Sequence, residues 1–235
     1  MEPGIFLSIL GYETQLSEHD GPVASSKPIK SIRSLLTRVQ GVHIDVIRPP
    51  YSETPLFQDH LLPEVCRSLH GAEMEIHLMA PEPLRILPTL EDLGAMNPVP
   101  AVSVQIEVFR DADDTIHALR EIRRLGFDPG VVIDYATPVA ALHPEVVNEA
   151  GLIHVMSVPA GKGGQRFHPG AAEKIRLLKE SYPSKTIVVD GGINEDTGRL
   201  CLGAGADRLV VGSRITGQPD PFEAVETLRM GLRRQ

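Results

Sequence analysis

The sequence is poor in cysteine and in basic side chains, and these shortages restrict the classes of protein it can belong to. Only Cys66 and Cys201 occur among the 235 residues, each in a helix-like segment, so a disulfide framework is not expected and a reducing compartment is favoured. The 23 lysines and arginines are outnumbered by 31 aspartates and glutamates, which gives a formal net charge of −8. This balance argues against nucleic acid or an anionic membrane as the main partner.

A long hydrophobic run is also absent from the sequence. The start, Met1-Glu2-Pro3-Gly4, carries no basic region, and the apolar run after it is much shorter than the roughly 20 residues that a membrane helix requires. We therefore expect no signal peptide, no membrane span and a cytoplasmic location.

Short runs rich in valine and isoleucine alternate with longer amphipathic segments along the chain, which predicts a parallel sheet covered by helices. Eight strands are predicted, at residues 5–10, 41–47, 73–79, 102–108, 130–135, 152–158, 186–190 and 208–211. Eight helices are predicted to follow them, at residues 29–39, 60–70, 83–93, 113–125, 138–149, 171–181, 195–203 and 221–232. Eight such units predict one α/β domain over residues 1–235, a closed (β/α)8 TIM barrel whose chemistry lies where the strands end.

Four side chains at predicted strand ends form a candidate metal site. His43 and Asp45 lie two positions apart on the second strand and therefore point the same way. His77 lies near the end of the third strand, and Asp190 ends the seventh. Two imidazoles and two carboxylates at one barrel mouth predict one divalent metal ion, Zn²⁺, Mn²⁺ or Fe²⁺ rather than Mg²⁺.

Three glycine-rich loops follow the sixth, seventh and eighth strands. Glycines let backbone N–H groups approach a phosphate closely, and the loops after strands seven and eight are the usual phosphate grip of such barrels. The loops therefore predict a phosphorylated substrate, held at Gly163, Gly164, Gly191, Gly192, Gly212 and Ser213.

Several segments, taken in order, resemble the ribulose-phosphate 3-epimerase family over nearly the whole chain. They are Leu7-Ser8-Ile9-Leu10, His43-Ile44-Asp45-Val46, Ile76-His77-Leu78-Met79, Val155-Met156-Ser157-Val158 leading to Gly163-Gly164-Gln165-Arg166-Phe167, Val189-Asp190-Gly191-Gly192-Ile193, and Ala204-Gly205-Ala206-Asp207 leading to Gly212-Ser213. The resemblance implies a metal-dependent barrel of the ribulose-phosphate-binding type. Its reaction would interconvert D-ribulose 5-phosphate and D-xylulose 5-phosphate at C3, in the pentose phosphate pathway.

The resemblance also implies roles for particular residues. The metal ligands would be His43, Asp45, His77 and Asp190, and the acid/base pair would be Asp45 and Asp190. Ser8, His77 and Met79 would lie beside the substrate. Since members of the family are often homo-oligomers, an assembly of identical chains is a further expectation.

The chemistry of this reaction fits the residues. Inverting a carbon next to a ketone removes a proton from one face and returns one to the other, which calls for two carboxylates on opposite sides of a planar intermediate. A metal ion would stabilise the cis-enediolate by direct charge, so no organic cofactor is expected.

The chain departs from the family pattern around the expected site. Ile47-Arg48-Pro49 replaces Met-Asp-Gly, Lys162 replaces an aromatic residue, Gln105 replaces a histidine, and Asp134-Tyr135 replaces an Asn-Pro or Lys-Pro pair. Arg48 and Lys162 are either contacts to a longer or more anionic substrate or solvated loop charges. Residues 11–26, rich in glycine, serine and acidic side chains, are expected to form a solvated loop rather than a substrate lid.

Three alternative functions stay open on the sequence. The same machinery could epimerise another ketose phosphate, such as a hexulose 6-phosphate. The barrel could instead bind a sugar phosphate without turning it over, or be a metal-free decarboxylase or synthase of the same fold.

Overall fold

The computed structural model describes residues 4–233, so Met1–Pro3 of the predicted N-terminal segment and the last two residues of the predicted domain lie outside the described part. Eight parallel strands form a closed barrel in sequence order, which confirms the (β/α)8 prediction. They are β1 (Gly4–Ser8), β2 (Gly41–Ile47), β3 (Glu73–Met79), β4 (Ala101–Gln105), β5 (Asp128–Ile133), β6 (Leu152–Met156), β7 (Thr186–Asp190) and β8 (Arg208–Val211). Pairing of β1 with β8, from Gly4↔Arg208 to Leu7↔Val211, closes the barrel.

Nine α-helices in the described part surround this barrel. They are α1 (Glu13–Ser17), α2 (Lys27–Leu35), α3 (Leu61–Ser68), α4 (Ala112–Arg124), α5 (Pro144–Glu149), α6 (Gly170–Ser181), α7 (Glu195–Gly203), α8 (Ser213–Thr216) and α9 (Pro221–Arg233). Short 3₁₀ helices lie at Leu10–Tyr12, Val23–Ser25, Pro83–Arg85, Leu87–Ala95, Ile106–Val108 and Val139–Ala141. Between residues 4 and 233, the helices are all too short or too polar to cross a membrane.

Proline explains the two helices that were predicted wrongly. The predicted helix at 83–93 is a pair of 3₁₀ helices, and a proline lies in the first turn of each, at Pro83 and Pro88. The predicted helix at 138–149 begins only at Pro144, because a proline is tolerated in the first helical turn and disrupts a helix interior. Strands β1 and β4 end earlier than predicted, since the chain there turns into 3₁₀ helices.

The segment 11–26 is folded, and the prediction of a solvated loop was wrong. It contains α1 and the 3₁₀ turn at Val23–Ser25, and it buries Leu16 and Val23 in the main core. The carboxylate of Glu13 is also buried and accepts a hydrogen bond from the backbone N–H of Phe57 at 3.3 Å. Polar residues outnumber apolar ones in this segment, but its few buried apolar side chains hold it against the barrel.

Alternation along the strands separates an outer apolar core from a polar interior. Outward residues such as Val42 and Ile44 pack under the helices in one large cluster. At the base of the barrel, five inward residues form a separate apolar cluster, namely Phe6, Ala101, Leu152, Val188 and Val210. We call this cluster the barrel floor. The next inward residue on four of these strands is polar, namely Ser8, Ser103, His154 and Asp190, so the side chains of the site rest on an apolar base.

Candidate active site

Three imidazoles and a carboxylate meet above the barrel floor. His43, His77, His154 and Asp190 each offer one donor atom, and these four atoms all lie within 4.8 Å of one another. Asp45 adjoins the group, with Oδ1 3.1 Å from His43 Nε2 and 3.5 Å from His77 Nδ1. The structure therefore brings together all four residues predicted as metal ligands and adds a fifth, His154.

Strand register places these side chains. On β2 and β3 the pairing Asp45↔His77 sets the carboxylate beside the imidazole on neighbouring strands. On β6 and β7 the pairing His154↔Val188 puts His154 one layer below Asp190, which pairs with Met156. The two pairs of strands face each other across the barrel, so the groups they carry line opposite walls of one interior.

A chain of charged groups holds His43. Its Nδ1 lies 3.5 Å from Oε2 of Glu75, and Glu75 accepts a 2.7 Å hydrogen bond from Arg208 through Oε1. Burial alone would lower the pKa of His43, but the charge and hydrogen bond of Asp45, together with the nearby Glu75 carboxylate, outweigh it and raise that pKa. A carboxylate on the far nitrogen of a histidine fixes the ring orientation and raises its basicity, as in carboxylate–histidine–metal arrangements.

The two predicted acid/base residues have opposite electrostatic environments. Burial, reinforced by the charge of Asp45, raises the pKa of Asp190 to about 7. Burial would also raise the pKa of Asp45, yet the charge and hydrogen bond of His43 and the nearby His77 bring it below its ordinary value. Ser8 Oγ adds a hydrogen bond to Asp45 Oδ2 at 3.2 Å. Two carboxylates whose pKa values are pushed apart can serve as proton acceptor and proton donor at one pH.

Unpaired nitrogens show that the residues fit a metal ion. Burial lowers the pKa of His77, and burial together with the neighbouring imidazoles lowers that of His154, so both rings are neutral with a free lone pair. His77 Nε2 and His154 Nε2 are buried and have no hydrogen-bond partner within residues 4–233. Buried polar atoms without partners are rare, and a bound ion is one partner that would satisfy them. Neutral imidazole nitrogens beside carboxylates are a donor set for Zn²⁺ or Fe²⁺.

A pocket opens above this group at the C-terminal mouth of the barrel. Asp45 and Asp190 both line it, and so does Lys162. Every predicted substrate-binding residue except the fully buried His77 is also in the lining, namely Ser8, Met79, Gly163, Gly164, Gly191, Gly192, Gly212 and Ser213. The carboxylates and the glycine-rich loops therefore face one space.

The loop after β7 requires its glycines. Gly191 and Gly192 have φ angles of 110° and 60°, which L-residues with side chains rarely adopt. A Cβ on Gly192 would lie 2.5 Å from the backbone nitrogen of Phe167. Ser157 holds the loop from below, because its hydroxyl donates to the carbonyl oxygen of Asp190 at 2.8 Å. The loop is thereby held with a bare backbone toward the pocket.

Sequence reasoning missed His154 and Glu75. His154 is an isolated polar residue in the apolar strand Leu152–Met156, and its inward position follows from alternation once Leu152 is placed in the floor. Glu75 precedes His77 by two residues, the same spacing that links His43 and Asp45. That spacing was a usable signal on β3, as it was on β2.

The structure contradicts both interpretations of Arg48. Its guanidinium donates hydrogen bonds to the carbonyl oxygens of Ile47 at 3.0 Å, Leu56 at 2.8 Å and Phe57 at 3.2 Å. It also forms a 2.6 Å ion pair with Asp59. Arg48 therefore braces the loop after β2 and is neither a solvated charge nor part of the pocket lining.

Comparisons with known proteins agree with this geometry. Residues 24–216 match the model described as the ribulose-phosphate 3 epimerase family. The chain is 37% identical over 163 residues to the cytoplasmic isoform of ribulose-phosphate 3-epimerase from Oryza sativa subsp. japonica, covering 68% of this chain and 69% of the relative. It is 32% identical over 193 residues to ribulose-phosphate 3-epimerase from Bacillus subtilis, covering 80% of this chain and 85% of that one.

Solved structures extend the likeness in fold. A tryptophan synthase structure from Mycobacterium tuberculosis superposes with a TM-score of 0.70 at 14% identity, covering 100% of this chain and 94% of that one. Orotidine 5'-monophosphate decarboxylase from Sulfolobus solfataricus gives a TM-score of 0.63 at 13% identity, with coverage of 98% and 97%. At these identities the likeness concerns the barrel alone. The match over residues 24–216 and the identity to the curated relatives place the chain in the ribulose-phosphate 3-epimerase family, whose members are isomerases.

Proposed function

We propose that the protein interconverts D-ribulose 5-phosphate and D-xylulose 5-phosphate by inverting the configuration at C3. One observation carries the proposal: Asp45 on β2 and Asp190 on β7 line the same pocket from opposite walls of the barrel. Two opposed carboxylates are what a two-face proton transfer needs, whereas a protein that only binds a sugar phosphate needs neither. The names of the relatives, ribulose-phosphate 3-epimerase in rice and in B. subtilis, support this substrate.

In this proposal the two carboxylates exchange protons with C3. Asp45, ionised beside His43 and His77, accepts the C3 proton from one face of the ketose. The planar enediolate then takes a proton on the other face from Asp190, which holds one more readily because of its burial. In the reverse direction the two residues exchange roles. Ser8, bonded to Asp45 Oδ2, keeps that carboxylate turned toward the pocket.

We propose further that the site uses one divalent metal ion, Zn²⁺, Mn²⁺ or Fe²⁺, and no organic cofactor. His43, Asp45, His77 and Asp190 would hold the ion, and the unpaired buried nitrogens above support this assignment. A bound divalent cation would supply positive charge to offset the negative charge that develops on the C2 and C3 oxygens.

The phosphate of the substrate would lie at the opposite end of the pocket. There the glycine loops offer backbone N–H groups with no side chain between them and the ligand. The exposed Lys162 lies in the same lining. Its charge favours a second candidate substrate, a longer or more anionic ketose phosphate such as a hexulose 6-phosphate, acted on by the same two carboxylates.

Three further proposals concern the whole protein. Residues 1–235 would form one domain, since strands from β1 to β8 close a single barrel. A cytoplasmic location is suggested by the printed name of the rice relative. Assembly into a homo-oligomer is proposed from the family resemblance, and sedimentation of the purified protein would test it.

Deuterium exchange at C3 tests the reaction. Protein loaded with Zn²⁺, Mn²⁺ or Fe²⁺ is mixed with D-ribulose 5-phosphate in heavy water and followed by NMR, with a chelator-treated sample as control. We expect metal-dependent deuterium incorporation together with the appearance of xylulose 5-phosphate. Exchange without epimer would contradict the two-face mechanism, and inertness toward the pentulose with turnover of a hexulose 6-phosphate would select the second substrate.

Variants assign the two carboxylates. Asp45→Asn and Asp190→Asn should each lower epimerisation by at least about a hundredfold, the lower range for a positioned acid or base. Asp113→Asn, at an exposed position on α4, is the matched control and should leave turnover unchanged. Near-normal turnover by either site variant would remove that residue from the proton-transfer role.

A further inference from the structure

His154 occupies a position where an apolar residue would fit the surroundings. It lies on β6 between Leu152 in the barrel floor and Met156 in the pocket lining. The other inward residues of the layer below are apolar, and the side chain of His154 is 1% exposed. Burying a polar group is unfavourable unless it has a hydrogen-bond partner or a ligand. An imidazole at this position therefore needs an explanation, whereas a leucine would need none.

The ring nitrogen of His154 points into the group of candidate metal ligands and has no partner. Its ring centroid lies 5.2 Å from that of His43 and 5.0 Å from that of His77. Nε2 is 3.9 Å from Asp190 Oδ2, which is too long for a hydrogen bond, and no other described residue bonds to it. Leaving such a buried nitrogen unpaired is unfavourable.

The spacing of the donor atoms is close to that of ligands on one ion. At metal–nitrogen distances of about 2.0–2.1 Å, two ligands of one Zn²⁺ lie roughly 3–4 Å apart. The donor atoms of His43, His77, His154 and Asp190 lie within 4.8 Å of one another. Small side-chain rotations would therefore bring all of them onto a common centre.

We propose that His154 is a third imidazole ligand of the metal ion, additional to the four ligands predicted from the sequence. The proposal rests on the metal-dependent function proposed above. Its consequence is a nitrogen-rich donor set, in which imidazole suits Zn²⁺ and Fe²⁺ while Mn²⁺ prefers carboxylate and water oxygens. The site is thereby tuned toward Zn²⁺ or Fe²⁺ and away from Mn²⁺.

Metal binding without substrate tests the proposal. Chelator-stripped wild type and His154→Leu are titrated with Zn²⁺ and with Mn²⁺ against a competing chromophoric chelator. The number of imidazoles on bound Zn²⁺ is measured by X-ray absorption. His117→Leu, which makes the same change at an exposed histidine on α4, is the control. Circular dichroism checks the fold, and His154→Gln serves as a second variant if the leucine protein fails to fold.

We expect three imidazoles on Zn²⁺ in the wild type and in the control, and two in His154→Leu. The Zn²⁺ dissociation constant of His154→Leu should rise at least tenfold, since even loss of a partner of a metal ligand costs 10–100-fold in affinity. Its Mn²⁺ affinity should change less. Two imidazoles in both proteins, or equal Zn²⁺ affinity, would overturn the proposal and leave His154 as a packing residue.

Failure of this proposal can be told from failure of the proposed reaction. A wild-type protein that binds Zn²⁺ through three imidazoles but turns over no ketose phosphate would sink the reaction and keep the ligand. A protein that epimerises its substrate with two imidazoles on the metal would do the opposite.

Discussion

Replacing Asp190 by asparagine should stabilise the metal-free protein, and the gain should grow with pH. The Asp190 side chain is 16% exposed, and its pKa in the folded protein is about 7 against an ordinary value of 3.8. At a pH below both values the carboxyl is protonated in the folded and unfolded chains alike and has no effect. As the pH rises from the lower value to the higher, only the unfolded chain loses its proton, so folding becomes less favourable.

The size of the effect follows from that difference. Each pH unit between the two values costs about 1.4 kcal/mol, so the ionised carboxylate destabilises the metal-free fold by about 4 kcal/mol above pH 7. Near pH 5 the cost is only about 1–2 kcal/mol. Asparagine has nearly the same shape and no charge. Asp190→Asn should therefore recover much of the roughly 4 kcal/mol at about pH 8, and much less stability at about pH 5.

Urea unfolding of chelator-treated protein measures this gain. Far-ultraviolet circular dichroism is the signal, because the chain lacks tryptophan. Wild type, Asp190→Asn and the exposed control Asp113→Asn are compared at several pH values, with equal denaturant slopes as the condition for comparing midpoints. A gap between Asp190→Asn and wild type that stays constant or shrinks as the pH rises would refute the reasoning. Zn²⁺ at a hundred times its Kd should narrow the gap at about pH 8, because it stabilises the wild type by about 2.7 kcal/mol.

Three further substitutions test the surroundings of the pocket. Arg48→Met should lower the free energy of unfolding by about 2–4 kcal/mol in urea denaturation, because charged hydrogen bonds to three carbonyl oxygens are lost; a raised KM with unchanged stability would contradict the bracing role. Lys162→Met should raise KM for the sugar phosphate about tenfold with little change in kcat, as expected for one charged phosphate contact, and an unchanged KM would place the lysine outside the site. Gly161→Ala should lower kcat/KM at least about tenfold, because a Cβ at φ 115° would lie 2.1 Å from the carbonyl oxygen of Tyr51 and left-handed backbone is strained for alanine; wild-type steady-state kinetics would refute this.

The barrel was predictable because its strands are short, nearly continuous apolar runs. Four strands, β2, β3, β7 and β8, have the predicted bounds. Where the strand prediction ran too long, as at β1 and β4, apolar residues continue into 3₁₀ helices that are also packed against the core. Hydrophobicity alone cannot distinguish a buried strand from a buried turn that follows it.

The roles of single residues were harder to predict, because they depend on neighbours that are distant in the chain. Arg48 is bonded to a loop that returns to it at Leu56 and Phe57, and no sequence pattern announces that return. Alternation places His154 inside the barrel because Leu152 and Met156 also point inward. This inference requires knowing which face of β6 lines the interior. Glu75 is partnered by Arg208, more than a hundred residues away.

The polar interior would link folding to the proposed metal binding. The barrel buries His43, His77 and His154, together with Asp45 and Glu75, in a layer that could have been filled by branched apolar side chains. Part of this layer is compensated within the protein, through the Arg208–Glu75 pair at 2.7 Å and the contacts of Asp45 with His43 and Ser8. Two features stay uncompensated: the unpaired imidazole nitrogens, and the unfavourable ionisation of Asp190 that its raised pKa reflects. A divalent cation would satisfy both at once. The residues proposed to transfer protons at C3 would then also make the metal-free fold less stable, and metal affinity would become part of the folding free energy.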